Sequence, residues 1–600
     1  MDLLLPRLLA GLGLAVTTLA APAAPAVSTA PTVTGFIVQL REDSGDGLRR
    51  AQSVQAVLSE QRLPLTLDRE LGQRWHALAP TTALDTTAAR AMEARLRADP
   101  RVARVVPNVR EQRLDVTPSD ARFAEQWWLK AVAAGNSGAA GFAKAWDRST
   151  GVANAAPVAV LDSGLTSHIE LNARVLPGYD FVADAVYSGD GNGRDADYQD
   201  PGDAISASDR AAHPAAFSGC PETPASSWHG TSIAGQLAAV SNNTEGVAAA
   251  NWQGTVLPVR VAGKCGAAVA DIIDGLRWAA GLAVAGVPAN PNPARLIVLS
   301  YGSIDACDVN SSDAAVRDTA QLYVDTLAAV RARGSVVFVA AGNQRREVGR
   351  PASCSGAFAV AAANREGIKS SYSNFGAKVA LLATGGDAAI GASCDAQLAD
   401  SGIVTTGNLG QTLPGQAGYV AASGTSFAAP QAAAVASLML GLNPSLTVEQ
   451  IEDGLKRSAR PHVQSPLLGD CALGSNVGRC SCTTATCGAG LLDADQALAF
   501  AQAPATWQAP TCSATVLVDD RHAACATVLG RSLPDPLPAA VAGSCQPAVV
   551  TPTNPTNPTN PTTPSTGGGG GGGALGLGWL AGLALAVWVL RALRRPTVSG

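Results

Sequence analysis

Charge is what this chain has least of. Asp, Glu, Lys and Arg together make up 15% of its 600 residues, against about 25% in an average soluble protein. Neither sign is in surplus as a polyanion-binding surface requires. The net charge is −5, which excludes nucleic acid as a partner. Histidine is also scarce, with six in all, so the position of each carries information. The twelve cysteines lack the features of a metal knuckle. "CSCTTATC" at 480–487 has neither a second CxxC nor paired histidines beside it, which points away from a zinc cluster.

Both ends read as export signals and are set aside before the fold is considered. Residues 1–26 carry an apolar run from Leu8 to Leu19, a thin n-region with Arg7, and A-x-A-like cleavage sites near Ala20 to Ala26. This is the pattern of a secretory signal peptide. At the other end, Ala574 to Leu590 is free of charge and just long enough to span a bilayer as a helix. Arg591, Arg594 and Arg595 follow, so 591–600 is a basic cytoplasmic end and everything before 574 lies outside. An exported body meets an oxidising space, so the cysteines are expected in disulfides. Spacing does not derive connectivity. Cys220–Cys265, Cys307–Cys354 and Cys482–Cys487 are carried as trial pairings.

Between these ends the pattern changes several times. Residues 32–116 read as strand, helix, two strands, helix and strand, from "GFIVQL" to "VARVVPNV". That order predicts a small ferredoxin-like α+β unit. Residues 117–503 alternate apolar runs such as "PVAVLD", "RLIVLSYG" and "VVFVAAGN" with helical stretches. This predicts an α/β unit with a mostly parallel sheet covered by helices on both faces. Function in such sheets gathers at the carboxyl ends of strands. Residues 504–550 form a short Cys-containing extension. Residues 551–573 are a linker, with proline every third residue in polyproline II register and then seven glycines.

Three stretches fall at strand ends or helix starts. "VAVLDSG" leaves Asp162 at the end of an apolar strand, where an unpaired carboxylate would be costly to bury; Asp also serves there as an ordinary turn cap. "SSWHGTSIAG" opens a helix with His229, which taken alone is more often a packed histidine. "GTSFAAP" places Ser426 in the first turn of an alanine-rich helix. A serine there usually caps, but the same helix end stabilises developing negative charge.

Taken together, in the order Asp, His, Ser, these motifs resemble the subtilisin-like serine proteases (subtilases). The resemblance covers about 117–503 and includes "AAGN", whose Asn343 matches the family's oxyanion-hole asparagine. "LSYGS" places Ser300, Tyr301 and Gly302 where the family's substrate-binding strand runs. It implies a secreted serine endopeptidase acting on proteins and peptides. Asp162 would orient His229, His229 would act as base, and Ser426 as nucleophile. Two departures bear on substrate preference: Ser232 where many relatives have a second histidine, and Phe427 where methionine is common.

The resemblance extends to the flanks. Residues 32–116 resemble the family's prodomain, a folding assistant and inhibitor cut away between Pro107 and Ala121, which makes the protein a zymogen. The glycines, short apolar helix and basic end of the C-terminus resemble the GlyGly-CTERM sorting tail of Gram-negative bacteria. This implies signal peptidase and a rhomboid-like sorting protease as partners, and a secreted or cell-surface location. The loop "DGNGRDADYQDPGD" offers Asp190, Asn192, Asp195, Asp197 and Asp200 as oxygen ligands for structural calcium. It is not an EF-hand, since Asp195 stands where the glycine should be. The rival reading is a surface-tethered adhesin on the same scaffold, which the stalk would suit equally.

Overall fold

The computed structural model describes residues 33–41, 47–72, 74–82, 86–109, 116–153, 156–388 and 398–546. The signal segment 1–26, the linker 551–573, the span 574–590 and the basic end 591–600 lie outside the described residues.

The N-terminal unit runs β1 (Val33–Leu40), α1 (Gly47–Glu60), β2 (Leu65–Gly72), β3 (Trp75–Pro80), α2 (Thr86–Ala98) and β4 (Val102–Val109). The sheet order is β2-β3-β1-β4, and every pairing is antiparallel. One face is apolar: Phe36, Val38 and Leu40 from β1 meet Val54, Val57 and Leu58 from α1, and Leu96 from α2.

The large unit is built on seven parallel strands. In chain order these are β5 (Val158–Asp162), β6 (Tyr179–Asp180), β7 (Val256–Arg260), β8 (Leu296–Leu299), β9 (Val336–Ala340), β10 (Ala357–Ala363) and β11 (Leu381–Thr384). Their spatial order is β11-β10-β9-β8-β5-β7-β6. Strand period explains the near-continuous apolar runs, because successive side chains point to opposite faces. Val158, Val160, Leu296, Val298, Val336 and Phe338 enter one core. Their neighbours Ala159, Leu161, Ile297, Leu299, Val337 and Val339 enter another. The first core is closed by α3 (His229–Ala238), α6 (Thr425–Leu442), α7 (Val448–Arg457) and α8 (Ala494–Gln502). The second is closed by α4 (Val269–Ala279) and α5 (Ala314–Ala332). A separate hairpin, β12 (Ile403–Asn408) with β13 (Ala417–Ala422), packs on α3.

Helix α6 is the axis of the first core. Its 18 residues have a mean hydropathy of 1.3, and it is mostly buried. It meets the length and composition of a membrane span while serving as a core helix. Its two interior polar side chains are satisfied. Gln431 Nε2 donates to Thr384 O at 2.7 Å, and its Oε1 accepts the Thr384 hydroxyl at 2.6 Å. Ser437 Oγ donates to Ala156 O at 2.9 Å.

All three trial disulfides are present, joined by Cys471–Cys480 and Cys512–Cys545. No described cysteine is free. The sulfurs of Cys471, Cys482 and Cys487 lie close together, but each is already in a disulfide.

Candidate active site

The carboxyl ends of β5, β8 and β9 and the N-termini of α3 and α6 converge on one side of the sheet. Asp162 is the last residue of β5, His229 the first of α3, and Ser426 the second of α6. Gly164 and Gly230 let the Asp162 and His229 segments approach. A Cβ on Gly230 would stand 2.2 Å from Gly164 O; one on Gly164, at φ +99°, would stand 2.5 Å from Tyr198 O. Both positions therefore require glycine.

Asp162 is 1% exposed. Its Oδ1 accepts the Ser163 N–H at 2.8 Å and pairs with His229 Nδ1 at 2.7 Å. That bond fixes the imidazole tautomer, leaving Nε2 for a proton from elsewhere. Burial pushes the His229 pKa down, but the neighbouring Asp162 carboxylate outweighs it, and the net shift is upward from 6.5. The ring is gripped edge-to-face by Tyr301 at 6.0 Å and Phe427 at 5.8 Å. Trp228, just before it, sits at φ +49° and anchors its indole on Gly410 O at 2.7 Å.

Ser426 lines a cleft of about 150 Å³ together with Ser300, Tyr301, Gly302 and Asn343. These are the residues the sequence motifs singled out, and the fold brings them together. Asn343 Oδ1 accepts both the backbone N–H and the hydroxyl of Thr425 at 2.9 Å. The Thr425 hydroxyl in turn accepts the Gly342 N–H at 3.0 Å. With its carbonyl tied down, the Asn343 amide has its NH₂ group left to donate. The first-turn N–H of Ser426 also lacks an intrahelical partner. Two donors, the Asn343 amide and the Ser426 N–H, therefore share the cleft with the Ser426 hydroxyl. No hydrogen bond joins Ser426 to His229.

The five calcium candidates are not brought to one point. Asp190 pairs with Arg260 at 2.9 Å, and Asp200 accepts the Ser163 hydroxyl at 2.7 Å. Asn192 donates to Asp195 at 2.7 Å, while the carboxylates of Asp195 and Asp197 accept backbone N–H groups inside the loop. Among the described residues, no group of three carboxylates or imidazoles converges as a metal site. The buried Arg260 guanidinium bonds to Asp180 as well as Asp190. Sequence reading missed Thr425, Ser163 and Arg260. Thr425 lay inside a quoted motif, but nothing in the pattern assigned its hydroxyl a partner.

A three-layer α/β scaffold with an imidazole–carboxylate pair, a helix-terminal serine and an amide donor in one cleft defines the class: a serine hydrolase. Comparison with known proteins gives the family. The Subtilase family model matches residues 153–488. An extracellular protease of Xanthomonas campestris pv. campestris is 37% identical over 488 residues, covering 79% of this chain and 74% of that one. An extracellular basic protease of Dichelobacter nodosus is 35% identical over 348 residues, covering 57% of this chain and 52% of that one. Among solved structures, a protease of Pseudoalteromonas arctica superposes with a TM-score of 0.53 at 38% identity. That match covers 64% of this chain and 100% of that one. The chain belongs to the subtilase family of serine endopeptidases.

Proposed function

We propose that the chain is a secreted serine endopeptidase that hydrolyses peptide bonds of proteins through Asp162, His229 and Ser426. The observation that carries this is the 2.7 Å bond between His229 Nδ1 and the buried Asp162, beside a cleft that holds Ser426 and Asn343. His229 Nε2 takes the Ser426 proton as Oγ attacks the scissile carbonyl, then returns it to the leaving amine. Asp162 holds the tautomer and stabilises the imidazolium. The Asn343 NH₂ and the Ser426 N–H receive the oxyanion. Ser300, Tyr301 and Gly302 form the wall along which the peptide lies. Fluorophosphonate labelling tests this: the parent is labelled at Ser426, and S426A is not. A labelled S426A overturns the assignment.

Secretion is supported by the relatives, which are named extracellular proteases. In this reading residues 32–116 are a prodomain that assists folding and blocks the cleft until removed. N-terminal sequencing of the secreted protein checks it, and a mature start before Gly35 contradicts it. Residues 574–590 act as a sorting tail cut by a rhomboid-like protease; an intact Leu590 in the surface form, by mass spectrometry, excludes the cut. Calcium at residues 190–200 is not part of this reading, because its five donors face different partners. A chelator that lowers the melting temperature of the mature enzyme would restore it.

A further inference from the structure

The acidic loop also reaches the segments that carry Asp162 and His229. Ser163 directly follows Asp162, and its Oγ bridges two segments. It donates to Asp200 Oδ2 at 2.7 Å and accepts the Gly230 N–H at 3.1 Å. Gly230 directly follows His229. One hydroxyl therefore links the residue after the carboxylate to the residue after the imidazole. Ser163 and Asp200 are 1% and 2% exposed, so water does not compete for these bonds. The other oxygen of Asp200 accepts the Gly202 N–H at 2.9 Å, which fixes the carboxylate that aims the hydroxyl.

Asp203 completes the brace. Its two oxygens accept the backbone N–H and the hydroxyl of Ser227, each at 2.6 Å. Residues 200–203 thus hold the Asp162 segment on one side and the His229 segment on the other. Such a brace is needed here. Asp162 Oδ2 is buried and has no hydrogen-bond partner among the described residues. Helix α3 has no side-chain cap of its own at Trp228, so the Ser163 hydroxyl takes over a first-turn N–H that the helix leaves open.

We infer that Asp200 and Ser163 are positioning residues: through the Ser163 hydroxyl, Asp200 sets the distance between the Asp162 carboxylate and the His229 imidazole. This rests on the catalytic reading above. Misplacement of reacting groups by about 1 Å can cost about 10²-fold in rate. S163A in the mature enzyme is therefore expected to lower kcat by about 10- to 100-fold, with KM within about twofold. S163T keeps the hydroxyl and brings kcat back to within about threefold of the parent. D200A gives a similar loss, and the double variant is no worse than the poorer single, since both break one chain of bonds. The low-field proton resonance of the His229–Asp162 bond, read without turnover, moves in S163A and returns in S163T. An S163A enzyme with the parent's kcat and an unmoved resonance overturns the inference, as do losses in S163A and D200A that multiply. Fluorophosphonate separates the two levels. A parent that is not labelled sinks the catalytic reading; a parent and S163A labelled at equal rates sink only the positioning.

Discussion

The N-terminal unit and the large unit solve the same problem of stability in opposite ways. Residues 33–109 bury one face of an antiparallel sheet under two helices, with a single core of Phe36, Leu78, Leu96 and their neighbours. No cysteine occurs between 32 and 116. The large unit buries both faces of a parallel sheet in two cores and ties its loops with disulfides. A small one-core unit is marginally stable by its surface-to-volume ratio alone. That would suit a segment to be discarded, as the proposed prodomain role requires.

The largest test of this contrast is S426A. Loss of the nucleophile is expected to lower kcat by about 10⁶ and to leave residues 33–109 attached in the secreted protein, seen as a longer band on immunoblot. Unchanged trimming in S426A would mean that the two units are separated by another enzyme. Next is D162N, expected to lower kcat by about 10⁴ and to move the pH profile. His229 has its pKa raised above 6.5 because Asp162 outweighs burial. The neutral imidazole is the active form, so kcat/KM falls as pH drops through a midpoint above 6.5. Without that carboxylate, burial is opposed only by the more distant Asp203 and Asp200, and the midpoint falls. The stability tied to this group has the matching sign: present in full below 6.5 and lost as pH rises through the folded-state value.

N343A follows, with kcat down by about 10²–10³ and KM little changed, as befits a donor used only in the transition state. A loss confined to KM would make Asn343 a ground-state contact. The smallest effect concerns stability. Cys307–Cys354 closes a loop of 47 residues, worth about 4 kcal/mol in the chain-entropy account. Replacing both cysteines by alanine should lower the melting temperature of the mature enzyme. Reductant should leave an isolated 33–109 peptide untouched, which calorimetry of both species would show.

Much of this was legible in the sequence because it is periodic or local. The βαββαβ order followed from alternation in "GFIVQL" and helical spacing in "TTAARAMEARLRA". The sheet followed from apolar runs whose odd and even residues feed different cores. Asp162, His229 and Ser426 could be placed because each ends a strand or starts a helix. The brace was not legible. Ser163, Asp200 and Asp203 are loop residues whose partners stand up to 67 positions away, and a hydroxyl bridging two segments leaves no period. The charge count of the acidic loop is visible in sequence, while Arg260, which pairs with Asp190 from β7, looks there like one more residue of an apolar strand.

The buried helix α6 has one more consequence, for how the chain leaves the cell. If the chain is exported unfolded, residues 425–442 present a stretch of membrane-span length. Gln431 and Ser437, silent within the folded core because Thr384 and Ala156 satisfy them, are then the residues that argue for passage rather than retention. Replacing both with leucine would leave more chain in the membrane on alkaline extraction.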